Sequence, residues 1–301
     1  MRHRNILAIV LLAWFCCPDP AARAQAIVTA DKSGDRIEIR VDGSLFTSYI
    51  LSEHEKYPFF FPVNGPSGAS VTSMRNANYP HHSSLFFGCD RVKGGNYWQE
   101  GLDQGQILPL KTEIAESGAT RAVIENENIW MRPGAASPIR DKRVITVTAS
   151  EKGLFQIDFD IVMEMLTDVR IEKSNHSLFS VRMDADLAVV NGGIMVNAEG
   201  AEGETGTFGV PSAWMDCHGA RMGKVEGLAI LQHPGNAWFP APWFTRDYGF
   251  FSPTPMYWPE NGEYIDLQKG KTIRLRYRVL VHAGDHLEAD IAGRYEKYSR
   301  E

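Results

Sequence analysis

Charged and β-branched residues alternate through Arg36-Ile37-Glu38-Ile39-Arg40-Val41, a period of two that puts the apolar side chains on one face of an extended strand. Asp42-Gly43 then supplies a turn, and Leu45 to Leu51 reads as the returning strand, so the sequence opens on a hairpin. The alternation recurs at Ala122 to Ile124, at Val144 to Thr148 and through Phe155-Gln156-Ile157-Asp158-Phe159-Asp160-Ile161. Leu228 to Leu231 and Ile273-Arg274-Leu275-Arg276-Tyr277-Arg278-Val279 continue it. Many short strands with glycine-rich joints and almost no helical period predict an all-β fold, an antiparallel β-sandwich. The exception is the tail, where Leu287, Ile291, Tyr295 and Tyr298 recur at helical steps and predict a short C-terminal helix. Neither an internal repeat nor a proline-rich linker divides the chain, so residues 25–301 are expected to form a single β-sandwich domain.

The N-terminus breaks the pattern. Arg2, His3 and Arg4 precede an apolar run from Ile6 to Cys17, and Ala22-Arg23-Ala24 offers small residues on either side of a cleavage position before Gln25. Residues 1–24 therefore read as a signal peptide, which predicts export to the periplasm or the extracellular space. No later segment approaches the roughly 20 apolar residues of a spanning helix, so no membrane segment is expected in the mature chain. A formal charge of −6 without a basic stripe disfavours nucleic acid as a partner. A hydrophobic fraction of 44% and a charged fraction of 23% are those of an ordinary globular protein and select no function. Beyond the signal only Cys89 and Cys217 remain; a disulfide between them is chemically permitted, and neither has a second cysteine at zinc-ligand spacing. The sequence carries no signal for an oligomeric state.

Two polar clusters interrupt the strands. Tyr57 to Trp98 mixes aromatics with Arg75, Asn76, Asn78 and the doublet His81-His82, and its prolines and glycines predict that much of it is ordered loop rather than continuous ladder. The second cluster holds Trp214-Met215-Asp216-Cys217-His218, then His233-Pro234-Gly235-Asn236, then Pro242-Trp243-Phe244-Thr245-Arg246-Asp247-Tyr248-Gly249. Tryptophan beside amides, carboxylates and arginine suits a sugar, whose C–H face covers the ring while its hydroxyls meet the polar groups. Arg75, Asn78, Trp98, Trp214, Asn236, Trp243, Arg246 and Tyr248 are the expected carbohydrate-binding residues.

The spacing of Pro80-His81-His82, Trp98, Trp214-x-Asp216, His233-Pro234-x-Asn236, Pro242-Trp243, Arg246-x-Tyr248-Gly249 and Tyr277-Arg278-Val279 through His282 and Gly284 resembles the bacterial PmoA-like family of uncharacterised domains. Ser83-Ser84 after the histidines and Cys217-His218 depart from that pattern, which bears on substrate choice more than on fold. The methane-oxygenase label attached to the family does not transfer, because such a subunit needs several spanning helices. More distantly the family resembles the galactose-mutarotase-like supersandwich of aldose epimerases, polysaccharide lyases and hydrolases, which implies a fold and not a reaction.

For chemistry, His81 or His82 could donate a proton to a ring or leaving-group oxygen, with His233 or Asp216 as the second catalytic group. Arg75 and Arg246 would stabilise a carboxylate or a developing oxyanion. The expected function is thus an exported carbohydrate-active enzyme of lyase, dehydratase or epimerase type. A non-catalytic sugar-binding protein and a glycoside hydrolase are the alternatives, although the latter lacks an obvious carboxylate pair. No cofactor is expected. A metal held by His81, His82, His233 and Asp216 is an open possibility that no His-x-His spacing supports. The whole expectation requires the doublet, the Asp216 turn and the Arg246 corner to meet in one groove.

Overall fold

The computed structural model describes residues 25–99 and 101–301, and the expected signal peptide lies outside them. The predicted opening hairpin forms, with Arg36–Val41 antiparallel to Ser44–Ile50 and Val41 opposite Ser44. Ile37 and Ile39 are buried because the alternation turns them to one side, toward the core. Two large antiparallel sheets follow from the same rule. The first has eleven strands, its main path running Val28–Ser33, Arg36–Val41, Ser44–Ile50, Phe59–Val63, Leu85–Val92, Ser177–Arg182, Phe250–Pro253 and Trp243–Arg246. The second has eight, in the order Ile194–Asn197, Trp214–Arg221, Lys224–Gln232, Thr272–Ala283, Leu154–Met165, Ile139–Glu151, Arg121–Met131 and Gln106–Glu116.

Both sheets feed one apolar cluster, with Ile39, Phe60, Leu85 and Phe179 from the first and Ile124, Ile157, Phe159 and Val279 from the second. Rings cross the gap: Phe60 meets Phe159 edge-on at 5.5 Å, Phe159 meets Phe179 at 4.9 Å, and Phe179 stacks on Tyr277 at 4.5 Å. The eight-stranded sheet also has a covered outer face, where Trp214, Leu231 and Leu280 pack against Ile291 and Tyr298 of the C-terminal helix, Ile291–Tyr298. Leu287 falls outside that helix and is 75% exposed; Asp290 caps the start by accepting the Gly293 N–H at 3.2 Å.

A polar network sits inside the sandwich. Asp141, wholly buried, accepts bonds from Arg143 Nε at 2.7 Å and Asn128 Nδ2 at 2.8 Å on one oxygen, and from Trp130 Nε1 at 2.7 Å on the other. Asn126 extends the network across to the first sheet by accepting the Tyr49 hydroxyl at 2.7 Å. Burial alone would favour a neutral Arg143, but Asp141 beside it outweighs that and raises its pKa.

The stretch from Tyr57 to Trp98 is no continuous ladder but a series of short strands, Phe59–Val63, Met74–Asn76, Tyr79–Ser83, Leu85–Val92 and Gly95–Tyr97, with ordered loop between them. Pro62 fits within the first of these because it falls in a register break between the pairs Thr47–Val63 and Tyr49–Phe60, where no ladder donor is called for. Cys89 and Cys217 lie on different sheets, both buried as free thiols, so the permitted disulfide is not formed. Among the described residues no helix is long and apolar enough to cross a membrane.

Candidate functional site

Met74–Asn76 and Tyr79–Ser83 form a separate two-stranded hairpin that carries the histidine doublet. Met74 faces Ser83 and Asn76 faces Tyr79, so Pro80, His81 and His82 together oppose Arg75 alone: the extra residues of the bulge lie on the histidine strand, and Arg75 opposite them adopts a left-handed φ of 53°. A bulge of this kind re-aims a side chain away from the ladder, and the Arg75 guanidinium meets the Glu55 carboxylate. The approach to the hairpin is pinned from the opposite sheet: buried Glu226 accepts the Ser67 N–H at 3.0 Å and its hydroxyl at 2.8 Å, and pairs with Arg221. Beside the hairpin lies a cavity of about 470 Å³, within the usual range of ligand sites, whose walls include Glu55, Lys56, Arg75, His81, Trp98 and Leu102.

The adjacent histidines take different environments. His82 is 3% exposed, its ring stacked 4.6 Å from Phe250 and 5.1 Å from Tyr79. Burial, reinforced by His81, Arg182 and His176, pushes its pKa down to about 2. It is a neutral, aromatic filler and no proton donor at neutral pH. His81 remains half-buried in the cavity wall, where burial and then His176, 5.8 Å away ring to ring, lower its pKa. It is therefore a free base near neutrality. Tyr57 donates its hydroxyl to the His81 carbonyl at 3.1 Å and fixes the backbone there.

The His82 environment has a measurable consequence. The unfolded chain binds a proton near pH 6.5 and the folded chain only near 2, so between these values the unfolded state holds more protons and stability rises with pH. Acidification from pH 7 to pH 5 is expected to cost about 2 kcal/mol through this ring. His82→Phe, which keeps the stack, should flatten that part of the profile in urea denaturation series at several pH values. An unchanged slope in the variant would refute the assignment.

The Arg246 corner does reach the hairpin, through Tyr248. Tyr248 stacks on Tyr79 at 4.4 Å, and buried Arg182 lies 4.4 Å from the Tyr248 ring centre. Arg246 itself is engaged elsewhere, bonded to Glu204 at 2.8 Å and laid over Phe244 at 4.3 Å. Trp98 closes the cavity floor against Phe86 at 4.7 Å, only 1% exposed, with its indole N–H buried and unpartnered.

The remaining expected residues do not join them. Asp216, on the eight-stranded sheet, is bonded to His218 Nδ1 at 2.6 Å and His282 Nε2 at 2.7 Å. Burial works to raise its pKa, but the two histidines outweigh it and hold the carboxyl below its ordinary value. For His282, burial opposes the charged form while the Asp216 charge and hydrogen bond prevail, so its pKa is raised. His233 accepts from Gly235 N at 2.8 Å, lies 2.7 Å from Arg276 Nη2 and packs against Tyr298; burial and Arg276 lower its pKa. Asn236 clamps Arg276 by both its amide groups, at 2.9 and 2.7 Å. Trp243 is a core residue whose N–H donates to the Ser212 carbonyl at 2.9 Å, and Trp214 is buried under the C-terminal helix. Asn78 is exposed at the hairpin turn, its N–H donating to Asn76 Oδ1 at 2.9 Å. A single groove holding all of these groups is thus not what the chain builds. Glu55, Lys56 and His176 near the doublet, and His218, His282 and His286 near Asp216, were not singled out as site residues.

Among solved structures, a polysaccharide lyase is similar over 86% of this chain at 14% identity and a TM-score of 0.33, and this chain spans about a third, 33%, of the lyase's length. A GalM/aldose epimerase homologue from C. elegans is similar at 7% identity and a TM-score of 0.34, covering 86% of this chain and 99% of its own. A galactose mutarotase related enzyme from Lactobacillus acidophilus gives 10% identity and a TM-score of 0.30, covering 85% and 97%. Similarities of this size identify neither a substrate nor a reaction. No curated protein matches the chain. Residues 36–296 match the model of DUF6807, a family of unknown function, and the chain belongs to that family.

Proposed function

We propose that the protein is a carbohydrate-active enzyme whose working centre is the cavity beside the Met74–Asn76 and Tyr79–Ser83 hairpin, with His81 as general base. The observation that carries this reading is the placement of the His81 imidazole, its pKa lowered by burial and His176, in the wall of a 470 Å³ cavity that also holds the Arg75 guanidinium and the Trp98 ring. Arg75 commits only part of its donor fork to Glu55, and its remaining N–H groups suit a carboxylate or a developing enolate oxygen. A uronate-type sugar fits both. Its proton next to the carboxylate would pass to the His81 ring; a proton from water on the other face then gives an epimer, or the β C–O bond breaks, the leaving oxygen takes the proton back from His81, and an unsaturated sugar remains. Glu55 is the one carboxylate among the described residues lining the cavity, and it is ion-paired, which disfavours a carboxylate-pair hydrolase.

The test is a panel of neutral and uronate-containing oligosaccharides incubated with the mature protein, with products followed by mass spectrometry and by ultraviolet absorption of an unsaturated sugar. A mass-neutral stereochemical change or a new double bond supports the reading. Binding without any conversion would reduce the protein to a sugar-binding module.

A further inference from the structure

We propose that Asp216, His218 and His286 bind one first-row divalent transition-metal ion on the outer face of the eight-stranded sheet, with His282 orienting the carboxylate. Along Trp214–Arg221 the alternation sends Met215 and Cys217 into the core between the sheets and Trp214 to the outer face. Asp216 and His218, two and four residues beyond Trp214, share that outer face. His218 lies opposite Gly227, and Gly227 opposite His282, so a glycine separates the two histidines in one row across three strands. A Cβ at position 227 would fall 2.5 Å from the His218 Cβ and 2.7 Å from the Cys217 carbonyl, which no other residue tolerates. That bare position leaves room for both imidazoles to lean on the Asp216 carboxylate.

His286 arrives from the turn after Thr272–Ala283, a turn held by Asp285, which accepts the N–H groups of Leu287 at 2.9 Å and Glu288 at 2.8 Å. Its ring lies 5.4 Å from that of His218, and one ligand atom from each of Asp216, His218 and His286 falls within 4.8 Å of the others. Its Nδ1 is buried without a hydrogen-bond partner. An orphaned buried nitrogen costs folding free energy unless something takes its lone pair or proton. A hydrogen-bonded Asp flanked by two histidines would account for His218 and His282, but not for bringing this third ring to the same place.

The donor set decides the class of ion. Two imidazoles and one carboxylate suit iron, manganese, cobalt or zinc, and not calcium or magnesium, which take oxygen ligands. Three protein ligands leave further positions open, as in reactive sites and unlike closed structural ones. His282 bonds Asp216 at 2.7 Å through Nε2 and contacts the Gly284 carbonyl at 3.2 Å through Nδ1, the outer-shell arrangement that fixes a liganding carboxylate.

The mature protein, stripped with a chelator and dialysed, is loaded with Zn(II) or Co(II), and metal content is measured by mass spectrometry alongside the visible spectrum of the cobalt form. One equivalent per chain with cobalt ligand-field bands is expected. His286→Gln should weaken affinity by at least about tenfold, and His282→Gln by about 10–100-fold. Because His286 lies in a half-buried turn, a thermal melt of His286→Gln like the native one shows that the loss is not unfolding. Less than about a tenth of an equivalent bound, or full binding undiminished in a folded His286→Gln variant, overturns the proposal. Neither outcome depends on turnover at the His81 cavity.

Discussion

His81→Gln is expected to lower kcat/KM at least about a hundredfold on whichever oligosaccharide the native protein converts, the usual worth of a positioned general base. Its dissociation constant should stay within about threefold, because the amide keeps the size and a hydrogen-bonding edge while losing the basic nitrogen. The activity of the native enzyme should persist to mildly acidic pH, since burial and His176 lower the His81 pKa and keep the ring unprotonated there. By contrast His82→Gln should act mainly through stability, the ring being sealed between Tyr79 and Phe250. If His82→Gln removed turnover in a fully folded protein while His81→Gln did not, the roles assigned to the doublet would be reversed.

The largest effect on stability is expected from Asp141→Ala. Arg143 is 3% exposed, and its guanidinium takes both carboxylate oxygens of Asp141, at 2.7 and 3.1 Å. Removing the carboxylate leaves a buried positive charge without its partner, together with the orphaned N–H groups of Trp130 and Asn128. A loss of about 3–5 kcal/mol in urea or guanidinium unfolding follows. Arg143→Met combined with Asp141→Leu should recover much of it, because two apolar groups of similar volume remove the desolvation cost of both charges. A single variant that unfolds within about 1 kcal/mol of the native protein would mean that water reaches the network.

The strands were legible where alternation was strong. Arg36–Val41 and the centre of Leu154–Met165 show it because one face of each meets the core and the other meets solvent. The hairpin bearing the doublet was not legible, since Met74–Asn76 and Tyr79–Ser83 are too short, and too interrupted by Pro80, to show a period. Nor could the sequence divide His81 from His82. That division depends on Phe250, which reaches the doublet from a distant strand. Trp243 and Asn236 looked like sugar contacts because their types recur in such sites, but tertiary packing uses them to close the core and to clamp Arg276. The Asp216-x-His218 spacing was the readable signal that went unused. Residues two apart on a strand share a face, so an aspartate and a histidine at that step can turn to one ion as two histidines can. Its partners His282 and His286 come from the far end of the chain and needed the register of three strands to place them.

Occupation of the cavity is open to one direct measurement, calorimetric titration of uronate-containing oligosaccharides into native protein and Leu102→Trp. Leu102 lines the cavity and is 40% exposed, so an indole there fills the space without disturbing the core. Saturable binding by the native protein, abolished in a Leu102→Trp variant with an unchanged melting temperature, is the expected result. Binding that survives the filled cavity at native strength would contradict it and place the ligand elsewhere on the sandwich.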